Sequence, residues 1–400
     1  MKNTTFMDSS KYIKILFIII VATILSVVGC KNSKNSAVSS DTEESASYTF
    51  KQKLAAEGTA LTCKSAPTAI SGHITDLDSK RGIAGVKINI GKCITTTNAQ
   101  GFYVLPNLTG NDRTVITFSR EGYYQNSAVI EVEQYPPGTT APSSNYLEYA
   151  IGTYDFQKTY SAHTDETLRA DANASVTLPA SAYISTTGNN YNGKVIAGIA
   201  YGDVYTDKGR NAFPGTYEGR SNDGIIVPFV SYGFIAIDIF DENRTKLNLI
   251  NSATISFPST GGVTTESIPL WYYDYLKGVW IEEGMATRQP DGTYKGEILH
   301  PGTWGLNMPL KSMPGIYRGR ITYRDGTAAK NIRVYAVGSN WIRADLSTDE
   351  NGNFEIKVIP GSSFRLKAYD HKHRYEAWYK DKNGNDISIQ AIASGEITER

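Results

Sequence analysis

The sequence predicts an all-β protein of tandem β-sandwich domains, and three observations carry that expectation. Tyrosine is abundant, 26 residues in 400, while apolar residues at helical spacing are scarce, and pleated surfaces favour tyrosine. Glycine, asparagine, aspartate and proline recur between short alternating stretches, the pattern of strands joined by turns. One order of strand and turn blocks runs near residue 70 and again near residue 320, the sign of an internal repeat.

The chain begins with the parts of an export signal. Lys2, Lys11 and Lys14 accompany an apolar core from Ile15 to Val28, and Gly29 is small enough for a peptidase to approach the backbone. That core is shorter than the roughly 20 apolar residues a spanning helix needs. The string Val27-Val28-Gly29-Cys30 resembles the lipobox of bacterial lipoproteins. The resemblance implies that residues 1–29 are a signal peptide cut between Gly29 and Cys30, and that lipid chains on Cys30 hold the protein to a membrane. Residues 30–65 then hold the lipidated cysteine and a tether, rich in Ser, Asn, Lys and Glu to about Ser47, with too little apolar surface to fold. Lys31 does not resemble an inner-membrane retention aspartate, which favours the outer membrane of the envelope.

Removing residues 1–29 takes three of the 40 basic and one of the 40 acidic side chains, leaving 37 and 39. That balance gives no electrostatic basis for nucleic-acid binding. Besides Cys30 only Cys63 and Cys93 remain. In an oxidising compartment a Cys63–Cys93 disulfide is the natural reading, with two free buried thiols as the alternative.

Residues 66–150 read as the first sandwich. Strands are expected over Ala69–Thr75, Val86–Ile90, Cys93–Thr97, Phe102–Val104, Arg113–Ser119 and Ala128–Glu133; Val86, Ile88 and Ile90 alternate with Lys87 and Asn89, so one face looks into a core. Asn98-Ala99-Gln100-Gly101 is a hairpin turn ending in glycine. Gly72-His73-Ile74-Thr75-Asp76, Gly85-Val86-Lys87-Ile88, Thr97-Asn98-Ala99-Gln100-Gly101-Phe102-Tyr103 and Gly122-Tyr123, in that order, resemble the carboxypeptidase regulatory-like domain. The resemblance implies a transthyretin-like β-sandwich that serves as a folding partner or adhesion module.

Residues 151–313 form a longer β-patterned region. Phe234, Ala236, Ile237 and Ile239 mark a strand ending at the turn Asp241-Glu242-Asn243, and Ala253–Phe257 marks another ending at Pro258. Ile268-Pro269-Leu270-Trp271-Tyr272-Tyr273-Asp274 and Gly278-Val279-Trp280-Ile281-Glu282-Glu283-Gly284 are two aromatic strands about an Asp-to-Gly loop. With Leu178-Pro179-Ala180, Phe213-Pro214-Gly215 and His300, the region resembles the central part of the cartilage intermediate layer proteins. It is more distantly similar to the sandwiches of netrin receptors and ankyrins. Some relatives of those sandwiches cut their own backbone at a His-[Phe/Leu]-[Ser/Thr] site; His300-Pro301-Gly302-Thr303 departs from it, so no self-cleavage is expected.

Residues 314–380 read as a second regulatory-like sandwich. Gly319-Arg320-Ile321-Thr322 parallels Gly72–Thr75, Thr348–Phe354 parallels Thr97–Phe102 with one residue added in the turn, and Val358-Ile359-Pro360-Gly361 stands where Val104-Leu105-Pro106-Asn107 stood. Residues 381–400 are expected to be a C-terminal tail.

His163-Thr164-Asp165-Glu166 with His300 downstream offers zinc a His-x-x-Glu pair and a distant histidine. A peptidase of that kind needs a large α/β domain around its metal, and the surroundings of His163 read as a polar loop. His371 and His373 sit among Asp370, Lys372 and Arg374 and read as a solvated turn. Asp349–Asn353 and Asp381–Asn385 begin like calcium loops but lack the later glycine and glutamate, so hairpin turns are expected. No metal site, cofactor or catalytic constellation is expected. Tyr124, Trp271, Tyr273 and Trp280 are the candidate ligand-contact aromatics, since along a strand one ring of each adjacent pair faces outward. The expected function is a membrane-anchored, non-catalytic binding or adhesion role toward glycan or envelope or extracellular protein. The alternatives are a structural scaffold of the envelope and, third, a zinc-dependent carboxypeptidase-like enzyme.

Overall fold

The computed structural model describes residues 68–108, 111–132, 146–258, 263–310, 314–323, 325–338, 341–344, 347–370, 375–380, 383–385, 387–389 and 397–399. Gly29, Cys30, Cys63, His371, His373, the tether and Asp381 lie outside them.

The first unit is a sandwich of two sheets. One orders β4 (Phe102–Leu108), β1 (Thr68–Asp76) and β7 (Tyr146–Ile151); the other orders β3 (Cys93–Thr96), β2 (Lys87–Ile90), β5 (Asn111–Ser119) and β6 (Asn126–Val132). Alternation places Ile70, Ile74, Val86, Ile88, Ile90, Tyr103, Leu105, Ile116 and Phe118 in the core between them. Cys93, 2% exposed, belongs to this core and is disulfide-bonded, with its partner outside the described residues.

The middle unit runs from β8 (Phe156–Ser161), β9 (Glu166–Arg169), β10 (Ser175–Leu178), β11 (Tyr183–Ser185) and β12 (Lys194–Gly202) through one short helix, α1 (Asp207–Ala212). Thr206 caps that helix by accepting from Gly209 N. It continues with β13 (Glu218–Arg220), β14 (Ile226–Phe240), β15 (Leu247–Leu249), β16 (Ala253–Phe257), β17 (Ser267–Asp274), β18 (Val279–Arg288), β19 (Tyr294–Ile298) and β20 (Gly302–Pro309). A hydrogen-bonded path β14-β20-β17-β18-β19-β16-β10-β9 curls over itself, so that Ile235, Ile237, Leu270 and Trp304 of one half meet Val176, Leu168, Ile255 and Tyr294 of the other in one core.

The C-terminal unit repeats the plan of the first. It holds β21 (Gly315–Arg320), β22 (Ile332–Val337), β23 (Ile342–Ala344), β24 (Asn353–Val358), β25 (Phe364–Asp370), β26 (Tyr375–Trp378), β27 (Ser388–Ile389) and β28 (Ile397–Glu399). The order β24-β21-β28 reproduces β4-β1-β7, and β23-β22-β25-β26 reproduces β3-β2-β5-β6. In each copy the last strand pairs parallel with the first. The stretch 381–400 set apart as a tail therefore contributes β27 and β28 to this sandwich. Three residues of β28 are too few to show an alternating pattern, and their partner β21 lies far back in the sequence.

A threonine clip fixes the register of each copy. Thr97 Oγ1 donates to Ile83 O at 2.6 Å and accepts from Val86 N at 2.9 Å; Thr348 Oγ1 donates to Ala329 O at 2.5 Å and accepts from Ile332 N at 3.0 Å. The next side chain closes the turn: Asn98 Oδ1 accepts from Gln100 N and Phe102 N, and Asp349 Oδ1 from Asn351 N and Asn353 N. Gly101 and Gly352 end these turns at φ +87° and +79°, a conformation that favours glycine. The pairings Gly72↔Tyr103 and Gly319↔Phe354 correct the expected turn. No residue is added; the counterpart of buried Phe354 is buried Tyr103, and Phe102 answers to Asn353 on the outer face. The later block is also displaced, because Pro106-Asn107 lies within β4 whereas Pro360-Gly361 follows β24.

Both clip hydroxyls are buried and doubly bonded. Replacing Thr97 or Thr348 by valine keeps the shape and strands a carbonyl and an amide, so each variant is expected to lose about 1–3 kcal/mol. Urea denaturation of the fragment beginning at residue 48 measures it, and an unchanged midpoint for both variants would remove the clip from the stability argument.

Candidate functional site

The four aromatic residues singled out from the sequence come together, in the interior. Trp271, Tyr273 and Trp280 are 0% exposed and Tyr124 is 5% exposed. They form one junction core with Phe213, Tyr217, Phe229 and Phe234, where the first unit packs on the middle sheet. Their placement as ligand contacts is therefore corrected. The outward-ring argument assumes a sheet with one wet face, but β17 is covered on both: Ile268 and Leu270 look into the middle core while Trp271 and Tyr273 look into the junction. Tyr272 is the half-buried ring of the string, packed edge-on against His300 at 4.3 Å.

Ring geometry and hydrogen bonds define this junction. Trp280 lies 5.0 Å from Tyr273 and 5.2 Å from Phe213, centroid to centroid, and Phe213 stacks on Tyr217 at 4.2 Å. Trp271 Nε1 donates to Asn307 O and Trp280 Nε1 to Pro214 O. Tyr273 OH and Ser127 Oγ share a hydrogen bond at 2.9 Å, and Asn126 Nδ2 donates to Ala212 O at 3.0 Å. Arg113 adds a two-pronged contact, Nη1 to Lys277 O and Nη2 to Gly278 O, both at 2.9 Å. Burial, with the Asp155 and Asp78 charges behind it, pushes the Tyr124 hydroxyl up.

The C-terminal unit joins the same sheet through β23, whose Ile342 pairs with Ser231 of β14. Arg343 beside it is 0% exposed; Nη1 donates to Tyr217 O at 2.6 Å and Nη2 lies 3.6 Å from Glu218 Oε1. Lys367 reaches across to Asp207 of α1 at 2.6 Å. Burial raises the Asp207 carboxyl, but hydrogen bonds and charge from Lys367 and Arg210 outweigh it, and the group is held below its ordinary range. No sequence pattern points to Arg343, which sits among Trp341, Ile342 and Ala344 in an otherwise apolar segment.

The residues of the zinc reading have separate neighbours. His163 Nδ1 is 3.2 Å from Ser181 Oγ, Glu166 pairs with Lys158 at 2.8 Å, and His300 Nε2 is 3.2 Å from Glu283 Oε1. Among the described residues no cluster of three or more His, Cys, Asp or Glu side chains is arranged to hold a metal. The Asp349 carboxylate serves its own turn, and its hydrogen bonds to Asn353 and Asn351 hold it below the usual range against the pull of burial.

An outward-facing apolar pair that the sequence reading did not single out lies on β4. Phe102 is 49% and Val104 57% exposed. Phe102 stacks on His73 at 4.3 Å, whose Nε2 donates to Gln100 O and whose Nδ1 lies 2.8 Å from Glu148 Oε1. In the second copy the matching positions are Asn353 and Glu355, and Glu355 pairs with Arg318 at 2.8 Å. Only alignment of the two copies through their strand register separates these residues from core positions.

No family model matches the chain. It is similar to cartilage intermediate layer protein 1 of Mus musculus, 20% identical over 243 residues, which are 59% of this chain and 20% of that protein. The chain thus spans about a fifth of the length of that relative. Among solved structures, BcpA, the major pilin subunit of Bacillus cereus, is 9% identical at a TM-score of 0.18, covering 83% of this chain and 97% of that one. The major pilin SpaD of Corynebacterium diphtheriae is 8% identical at a TM-score of 0.19, covering 83% and 96%. Those values carry no argument about what this chain does.

Proposed function

We propose that this chain is an envelope lipoprotein, anchored through Cys30, whose β-sandwich units bind glycan or protein without catalysis. The observation that carries the binding role is the Phe102 and Val104 pair. The second copy has the same backbone with Asn353 and Glu355 at those places, so the fold does not require apolar residues there. An apolar pair on an outer sheet face offers a ligand a place to dock. The tether following Cys30 supplies reach from the membrane.

The second copy also supplies the test. A glycan and extracellular-protein array is probed with the fragment beginning at residue 48 and with its Phe102→Asn, Val104→Glu variant. Binding by the first and its loss in the second, with an unchanged denaturation midpoint, is the expected result. An empty array, or a ligand held equally by both, would overturn the reading.

A further inference from the structure

We propose that the two repeats bear tension: each is a clamp whose first and last strands are loaded in shear when the chain is pulled. The proposal deepens the anchored reading above in one respect, that a membrane anchor supplies the tension.

In the first copy the parallel register runs from Ser71↔Tyr146 to Asp76↔Ile151, six residue pairs. Parallel pairing puts the entry of β1 and the exit of β7 at opposite ends of the ladder. A pull that draws entry and exit apart therefore acts along the strands, and the whole ladder must give way together. The antiparallel bonds of β1 to β4 add to the resistance. Had the first and last strands been antiparallel, entry and exit would share one end and the ladder would open rung by rung.

The second copy has the same arrangement, pairing Ile316↔Ile397, Tyr317↔Thr398 and Arg318↔Glu399 among the described residues. Among the described residues the remaining parallel pairing, β13 with β18, lies inside the middle unit and joins no entry to an exit. Parallel pairing thus joins the first strand of each repeat to its last.

The contact between β1 and β7 leaves room for no side chain at Gly72, where an added Cβ would lie 1.8 Å from Leu147 O. Gly72↔Leu147 is one of the six pairs, which makes this glycine the point at which the ladder can be weakened by substitution. Ile70 and Ile74 on the same strand are buried in the core, so sliding β1 out also exposes apolar surface.

The test is single-molecule force spectroscopy on the full chain with bioorthogonal handles. Handles at Ala69 and Thr153 load the ladder in shear; handles at Ser79 and Thr153 load it from one end. The expected result is a higher rupture force for the first pair, in a single event, since forced unfolding reports the unfolding barrier along the pulled direction. Gly72→Val is expected to lower the shear force and leave the peeling force unchanged. If that variant does not fold, the two handle geometries on the unchanged sequence decide the matter. Equal rupture forces in the two geometries would overturn the clamp. Metabolic labelling of Cys30 with a fatty-acid probe reports the anchor independently, so a failed clamp and a failed anchor give different results.

Discussion

Truncating Trp280 to alanine is expected to lower the unfolding free energy by about 3–5 kcal/mol, the usual cost of emptying a buried aromatic site. The ring is 0% exposed, touches Phe213, Tyr273 and Phe229, and donates its indole N–H to Pro214 O. The cavity would open where residues of the first unit meet the middle sheet. The loss is therefore expected to reach beyond β18. Amides of β6, whose Asn126 and Ser127 hydrogen-bond across this junction, should exchange faster in the variant. Urea denaturation and hydrogen exchange check both parts. A loss below about 1 kcal/mol, the average for substitutions at large, would mean that this ring does not carry the junction.

Arg343→Ala is expected to cost a similar amount, about 3–5 kcal/mol, for an electrostatic reason. The guanidinium is wholly buried, with donors on Tyr217 O and Phe229 O and an ion pair to Glu218, itself 13% exposed at the side chain. Removing it breaks a buried ion pair and takes the cation away from a nearly buried carboxylate. The double variant Arg343→Met, Glu218→Leu removes both charges and keeps the volume, so it should recover most of the loss. Denaturation of the wild type, the single and the double variants measures this. A double variant as unstable as Arg343→Ala would assign the cost to packing and not to the broken ion pair.

The all-β class and the repeat were legible because both rest on local signals. Val86, Ile88 and Ile90 alternate on a strand with one buried face, and a Thr-to-Gly turn block follows a strand at both Thr97 and Thr348, although the added residue expected in the second turn is not there. Local signals failed where distant chain covers a face. Trp271 and Tyr273 look exposable along their own strand, and only the first unit packed against them makes them interior. β28 has three residues and a partner about eighty positions earlier, a pairing that no local pattern encodes. Phe102 and Tyr103 are both aromatic, so the local pattern does not say which one faces the core; the register with Gly72 assigns that place to Tyr103. Cys93 is bonded as an exported chain would allow, but Cys63 and the lipid site fall outside the described residues.

The two copies are not interchangeable parts. Matching them through their threonine clips aligns Ile90 with Ala336, and the second hairpin then runs one pair further, Val337↔Ile342, before it turns. That extra pair carries Ile342, the residue that meets Ser231 of β14. A first copy grafted into the second position would stop short of the neighbouring sheet and leave the β14 edge bare there. A second copy grafted at the front would carry a hairpin tip with no strand to receive it. One lengthened hairpin thus ties the second copy to the β14 edge, and chimaeras of this molecule are best cut outside residues 226–399.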